Sequence, residues 1–168
     1  MDWQALRLSL QLGGLTTLLL LPSALFVARW LAYRRFLGRS VVEALLAVPL
    51  VLPPTVVGYY LLVGMGGRSV LGQWFESITG TPLVFHFPGL LLASLIVNIP
   101  FAVQPIQRAF EALPEEVRDA APCCGMGFWR TLFIIELPLV WPGVLTALVL
   151  TFAHTLGEFG VVLMVGGS

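Results

Sequence analysis

The chain has 168 residues, 58% of them apolar and 11% charged, with nine basic and nine acidic side chains and a formal net charge of zero. An average soluble domain is about 45–50% apolar and about 25% charged, so the composition excludes an ordinary water-soluble fold and points to hydrocarbon as the solvent. The charge balance leaves no basic surface for nucleic acid, and every basic side chain is arginine.

A membrane-crossing helix needs about 20 apolar residues, and four stretches are long enough. The first covers 8–28. Asp2 stands where a secretory signal carries a basic start, and no small-residue cleavage site follows, so this is a retained span. Gly13, Gly14, Thr16 and Thr17 offer it a small face for close helix packing, and Arg29, Arg34, Arg35 and Arg39 end it. The second span covers 41–63, where Pro49, Pro53 and Pro54 predict a kinked or locally unwound helix whose freed carbonyls need partners inside the protein. The break at Pro53 and Pro54 is a candidate pathway lining. Over 64–87 the chain turns polar and glycine-rich, with Arg68, Gln73 and Glu76, which predicts an exposed loop with room for one short interfacial helix.

The third span, 88–106, is interrupted by Asn98 and Pro100. A buried amide in a span faces a neighbouring helix or water, making Asn98 a second pathway candidate. The stretch 107–131 carries Arg108, Glu111, Glu115, Glu116, Arg118, Asp119 and Arg130 and must lie in water. A fourth span covers 132–155, entered through Pro138 and Pro142, and Glu158 near its outer end is a functional candidate as an ionisable group at membrane depth. Spans and loops together make a single transmembrane domain over 1–168. If the spans alternate, Arg29, Arg34, Arg35, Arg39, Arg108, Arg118 and Arg130 share one side, and Arg7 and Arg68 the other. Arginine-rich loops stay cytoplasmic, which places the N-terminus outside.

Within 107–131, Asp119, Ala120 and Ala121 are followed after three residues by Gly125, after nine more by Ile135, and then by Leu137 and Pro138. This spacing resembles the signature of membrane subunits of binding-protein-dependent ATP-driven importers: Glu-Ala-Ala, three residues, Gly, nine residues, Ile, one residue, Leu-Pro. Asp119 in place of Glu is the one departure. The resemblance implies an all-α integral membrane protein, a multi-span helical bundle of the importer permease (MetI-like) fold, whose signature forms a coupling helix that docks into a cleft on an ATPase subunit. The residues suit that task. Ala120 and Ala121 combine high helix propensity with little bulk, and Gly125 permits a sharp turn. Pro114 fits the first helical turn, and Glu115 and Glu116 complement the helix dipole there. Arg118 and Asp119 are placed to pair across an interface, while Pro122 is expected to interrupt the helix just after the alanines. Glu116, Arg118, Asp119, Ala120, Ala121, Gly125, Ile135, Leu137 and Pro138 are therefore the candidate coupling residues.

The resemblance to molybdate importer permeases extends over nearly the whole chain, including 49–58 and the run Leu-Gly-Glu-Phe-Gly at 156–160. Tungstate and sulfate or thiosulfate permeases are the neighbouring alternatives, since molybdate, tungstate and sulfate are all tetrahedral dianions. No positive cluster inside the spans would hold such an ion tightly, which suits a path that must release its cargo. The resemblance implies as partners a dimer of ATPase subunits that binds the ATP and Mg, a periplasmic oxyanion-binding protein for which the 64–87 loop is the candidate docking surface, and a second copy of this chain. The implied location is the bacterial cytoplasmic (inner) membrane. Such permeases normally continue past the equivalent of Ser168 into a further span, so the chain reads as C-terminally short.

The chain carries no Gly-x-x-x-x-Gly-Lys-Ser/Thr phosphate loop and is expected to hydrolyse no ATP itself. A passive channel would leave the signature unexplained. An intramembrane metalloprotease would need more ligands than His154 and Glu158, four apart, with His86 the one other histidine. Cys123 and Cys124 are adjacent, a spacing that suits neither a disulfide framework nor a zinc site.

Overall fold

A computed structural model describes residues 3–157, and Glu158 lies outside them. The described chain folds into helices: α1 (Trp3–Tyr33), α2 (Arg39–Val51), α3 (Pro54–Met65), α4 (Val70–Thr79), α5 (Phe87–Glu111), α6 (Glu115–Cys123) and α7 (Phe128–Arg130), then a π-helical stretch (Thr131–Glu136) leading into α8 (Leu137–Gly157).

Helix α1 buries a stripe spaced by threes and fours, Leu12, Thr16, Thr17, Leu20, Ala24, Ala28 and Leu31, the period of one face of an α-helix. Small residues along it let neighbouring backbones approach: a Cβ built on Gly13 would stand 3.2 Å from the Phe152 ring. Gly14, expected on the same face, has open space around it instead. Contacts along the stripe settle the topology. Thr16 Oγ1 donates to Ser94 Oγ at 3.1 Å, and the Tyr33 and Phe110 rings meet edge to face at 5.6 Å, so α1 and α5 run parallel. Helix α8 returns antiparallel, with Glu136 before its start at Arg29 and Phe152 near its end at Gly13. These three helices enclose the main core, which includes Ala24, Leu31, Ala102, Ile106, Phe110, Leu132, Val140 and Ala147.

Proline chemistry explains the outer pair. A residue before proline is pushed out of the α region, and here two in succession obey: Leu52 is extended ahead of Pro53 (ψ 139°), and Pro53 ahead of Pro54 (ψ 139°). The chain therefore breaks between α2 and α3 with a bend of 109°, far sharper than a kink. Within α5, by contrast, Asn98, Pro100 and Pro105 do not interrupt the helix, which runs on to Glu111. A proline there removes one backbone bond, and burial of both flanks in the bundle holds the helix together. Gln107 to Glu111 consequently belong to α5 and not to the charged loop. Arg29 likewise lies inside α1, which continues to Tyr33.

Leu6–Tyr33, Phe87–Glu111 and Phe128–Gly157 are long and apolar enough to cross a membrane, and α2 with α3 adds a fourth crossing if counted as one broken span. The surface facing outward is apolar, with Leu18, Val41, Leu45, Tyr60, Val63, Ile134 and Val149 well exposed, as hydrocarbon solvent requires. In the 64–87 loop the short helix α4 starts at Ser69, whose Oγ accepts from the Gly72 amide at 2.9 Å.

Candidate functional site

Helix α6 carries the first half of the signature. Its first turn holds Glu115 and Glu116, and the Pro114 carbonyl accepts from the Arg118 amide at 3.4 Å, so Pro114 precedes the helix and does not form its first turn. Glu116, Asp119, Ala120 and Cys123 are exposed, and their spacing of three, four and seven puts them on one face. The opposite face turns into the subunit. Ala121 is 1% exposed, and the Arg118 guanidinium lies 4.9 Å from the Tyr33 ring centroid. Ala121 is thus enclosed and Arg118 half-buried against Tyr33 of α1, while Ala120 and Asp119 face outward.

Pro122 does not end the helix after the alanines, because α6 continues through it to Cys123. In the last turn a proline removes only one intrahelical bond. The end is made by the chain beyond: the Cys124 amide donates to Ala120 O at 3.0 Å and the Met126 amide to Ala121 O at 3.1 Å. The latter is the six-to-one bond of a Schellman cap, which needs a left-handed residue just before its donor. Gly125 supplies it, with φ +69°.

The second half of the signature lies elsewhere. Ile135 is half-buried in the π-helical stretch, Leu137 is half-buried against the main core, and Pro138 is exposed at the start of α8. These three shape the joint between α6 and α8 and are not on the exposed face of α6.

Two charged constellations escaped the sequence reading. Glu136 is 1% exposed and accepts from Arg29 Nε at 2.6 Å and from its Nη2 at 3.0 Å. At the other side of this end of the bundle, Gln107 Nε2 donates to Glu43 at 2.8 Å and to Glu111 at 3.0 Å. Arg39 pairs with both of these carboxylates, and Arg108 reaches Glu111 at 2.9 Å. The signal available for both was an acid inside an apolar run, Glu43 after Val41–Val42 and Glu136 between Ile135 and Leu137. The arginines of this end border a cleft of about 530 Å³ beside α6 that includes Arg35, Arg39 and Arg118.

The pathway candidates are scattered. Pro53 and Pro54 are exposed at the α2–α3 break. Asn98, on α5, is 0% exposed, its Nδ2 donating to Ser94 O one turn earlier at 2.9 Å. His154 stacks on Phe101 with centroids 4.0 Å apart, and no group of three metal-ligating side chains occurs among the described residues. Cys123 and Cys124 are free and exposed.

Comparison with known proteins matches residues 21–168 to the family described as binding-protein-dependent transport system inner membrane component. The molybdenum transport system permease protein ModB of Azotobacter vinelandii is 48% identical over 99% of this chain and 74% of its own length. ModB of Escherichia coli strain K12 is 42% identical, over 95% of this chain and 69% of its own. The sulfate transport system permease protein CysW of Synechococcus elongatus is 32% identical over 98% of this chain and 57% of its own.

Proposed function

The chain belongs to the family of inner membrane components of binding-protein-dependent transport systems, and from that premise we propose that it is the permease subunit of an ATP-driven molybdate importer. The observation that carries the substrate is the order of likeness: 48% and 42% identity to molybdenum permeases against 32% to a sulfate permease, over nearly the same stretch of this chain. The coupling role is supported by α6, a short helix whose outward face holds an acid and a small residue, Asp119 and Ala120, between Glu116 and Cys123.

In this reading Glu116, Asp119 and Ala120 meet the ATPase. Arg118, Ala121 and Gly125 set the pose of the helix, and Ile135, Leu137 and Pro138 form the joint to α8. Two copies of the chain place two such helices against two ATPase clefts. ATP and Mg bind in the ATPase, whose closure rocks the two halves between inward-open and outward-open states. Pro53, Pro54, Asn98 and Glu158 are the proposed pathway residues, and a periplasmic oxyanion-binding protein delivers the cargo to the side bearing the 64–87 loop. The arginine-rich end faces the cytoplasm and the N-terminus faces out, in a bacterial inner membrane.

The test is uptake of labelled molybdate into vesicles holding this subunit with its ATPase and binding protein, with tungstate and sulfate as competitors. Saturable, ATP-dependent uptake inhibited by tungstate and indifferent to sulfate is expected. Inhibition by sulfate at equal concentration would move the substrate to sulfate, and uptake without the ATPase would make the protein a passive channel.

A further inference from the structure

The Glu136 carboxylate is enclosed, with 2% of its side chain exposed, and both oxygens are taken by Arg29. The same guanidinium lies 4.6 Å from the Phe128 ring centroid and 5.0 Å from that of Tyr33, and Phe26 meets Trp129 edge to face at 5.9 Å. The Arg29–Tyr33 contact lies within α1, and the others tie the segment after α6 to α1. An enclosed ion pair is a poor source of stability, because an apolar pair of similar volume often does as well. Its virtue is direction: a two-pronged charge-assisted contact fixes geometry in a way that sliding apolar surfaces do not.

The backbone is built around this pair. Thr131–Glu136 is π-helical, a widened turn that is rare and tends to persist at functional places. Its extra residue rotates the following side chains by about 100° relative to an uninterrupted α-helix, and in this register Glu136 points at Arg29. We propose that Arg29 and Glu136 are positioning residues for energy coupling: their ion pair clamps the joint between α6 and α8 onto α1, so that a displacement of α6 moves α1 together with α8. The proposal rests on the importer reading above.

The experiment places spin labels at Val27 in α1 and Arg130 in α7, both exposed, in the protein assembled with its ATPase and binding protein in liposomes. In the otherwise unaltered protein the distance between the labels stays constant when ATP is added. In Glu136→Gln, and in the milder Arg29→Lys, which keeps the charge and loses the fork, ATP shifts or broadens that distance. The ATP hydrolysed per molybdate taken up rises several-fold in both. A distance that stays constant in both variants overturns the clamp, including where they only lower the melting temperature, as a merely structural pair would. A distance that changes with ATP in the unaltered protein overturns it as well. The distance readout needs no substrate, so failure of the molybdate assignment shows separately, as absent molybdate uptake in the unaltered protein.

Discussion

Ala120 and Ala121 are neighbours in the chain yet face different surroundings, since consecutive helix residues point about 100° apart. Ala120 is exposed and Ala121 is 1% exposed against the body of the subunit. Enlarging them should therefore fail in different ways. Ala121→Leu overpacks a filled site, expected to cost about 1–3 kcal/mol and to lower the melting temperature of the detergent-purified protein. Ala120→Leu should leave that temperature unchanged and reduce the amount of ATPase that co-purifies. Equal thermal losses in both variants would contradict the placement of the two faces. Gln107 shows the same dependence on direction: a polar residue at the rim of an apolar run, it turns inward because Glu43 and Glu111 both accept its amide protons.

At the scale of elements, the decisive features are where helices end and how closely they cross. The turn after α6 needs a residue at φ +69°, a region costing other L-residues roughly 1–2 kcal/mol and worst for β-branched side chains. Gly125→Val should abolish uptake with normal amounts of protein in the membrane, whereas Gly125→Asn, which tolerates the left-handed region, should retain most of it. Normal uptake by the valine variant would show that the Schellman turn does not set the pose of α6. The crossing of α5 and α8 depends on Gly143, where an added Cβ would lie 2.5 Å from Ala109 Cβ and 2.8 Å from Pro105 O. A backbone oxygen cannot swing aside, so Gly143→Ala is expected to lose about 1–3 kcal/mol, read as a lower melting temperature.

For the whole molecule, the parallel run of α1 and α5 with α8 returning gathers Arg29, Arg39, Arg108 and Arg118 at one end, and all four are engaged there in ion pairs or ring contacts. Arginine content and helix direction together give the orientation a direct test. Single cysteines in place of Arg34 and Glu76, in a background lacking Cys123 and Cys124, should react with an impermeant thiol reagent from outside only at position 76. Labelling at position 34 alone would invert the orientation.

Much of this architecture was legible in the residues themselves. Run length and hydropathy located the apolar stretches, because hydrocarbon admits few charges and a helix must be long enough to cross it. The prolines at 53 and 54 announced the break, because pre-proline sterics are local, whereas Pro49, expected to share in it, lies inside α2 without breaking it. The spacing from Asp119 to Pro138 located α6 and its glycine turn. What the residues could not announce was which way each one faces: Ala121 and Arg118 inward, Gly14 outward, Pro122 inside the helix, Pro100 without effect on α5. Nor could they pair Arg29 with Glu136, 107 positions apart. Facing and pairing depend on which helices lie against each other, and that is decided by packing among distant segments, so only the tertiary structure could supply it.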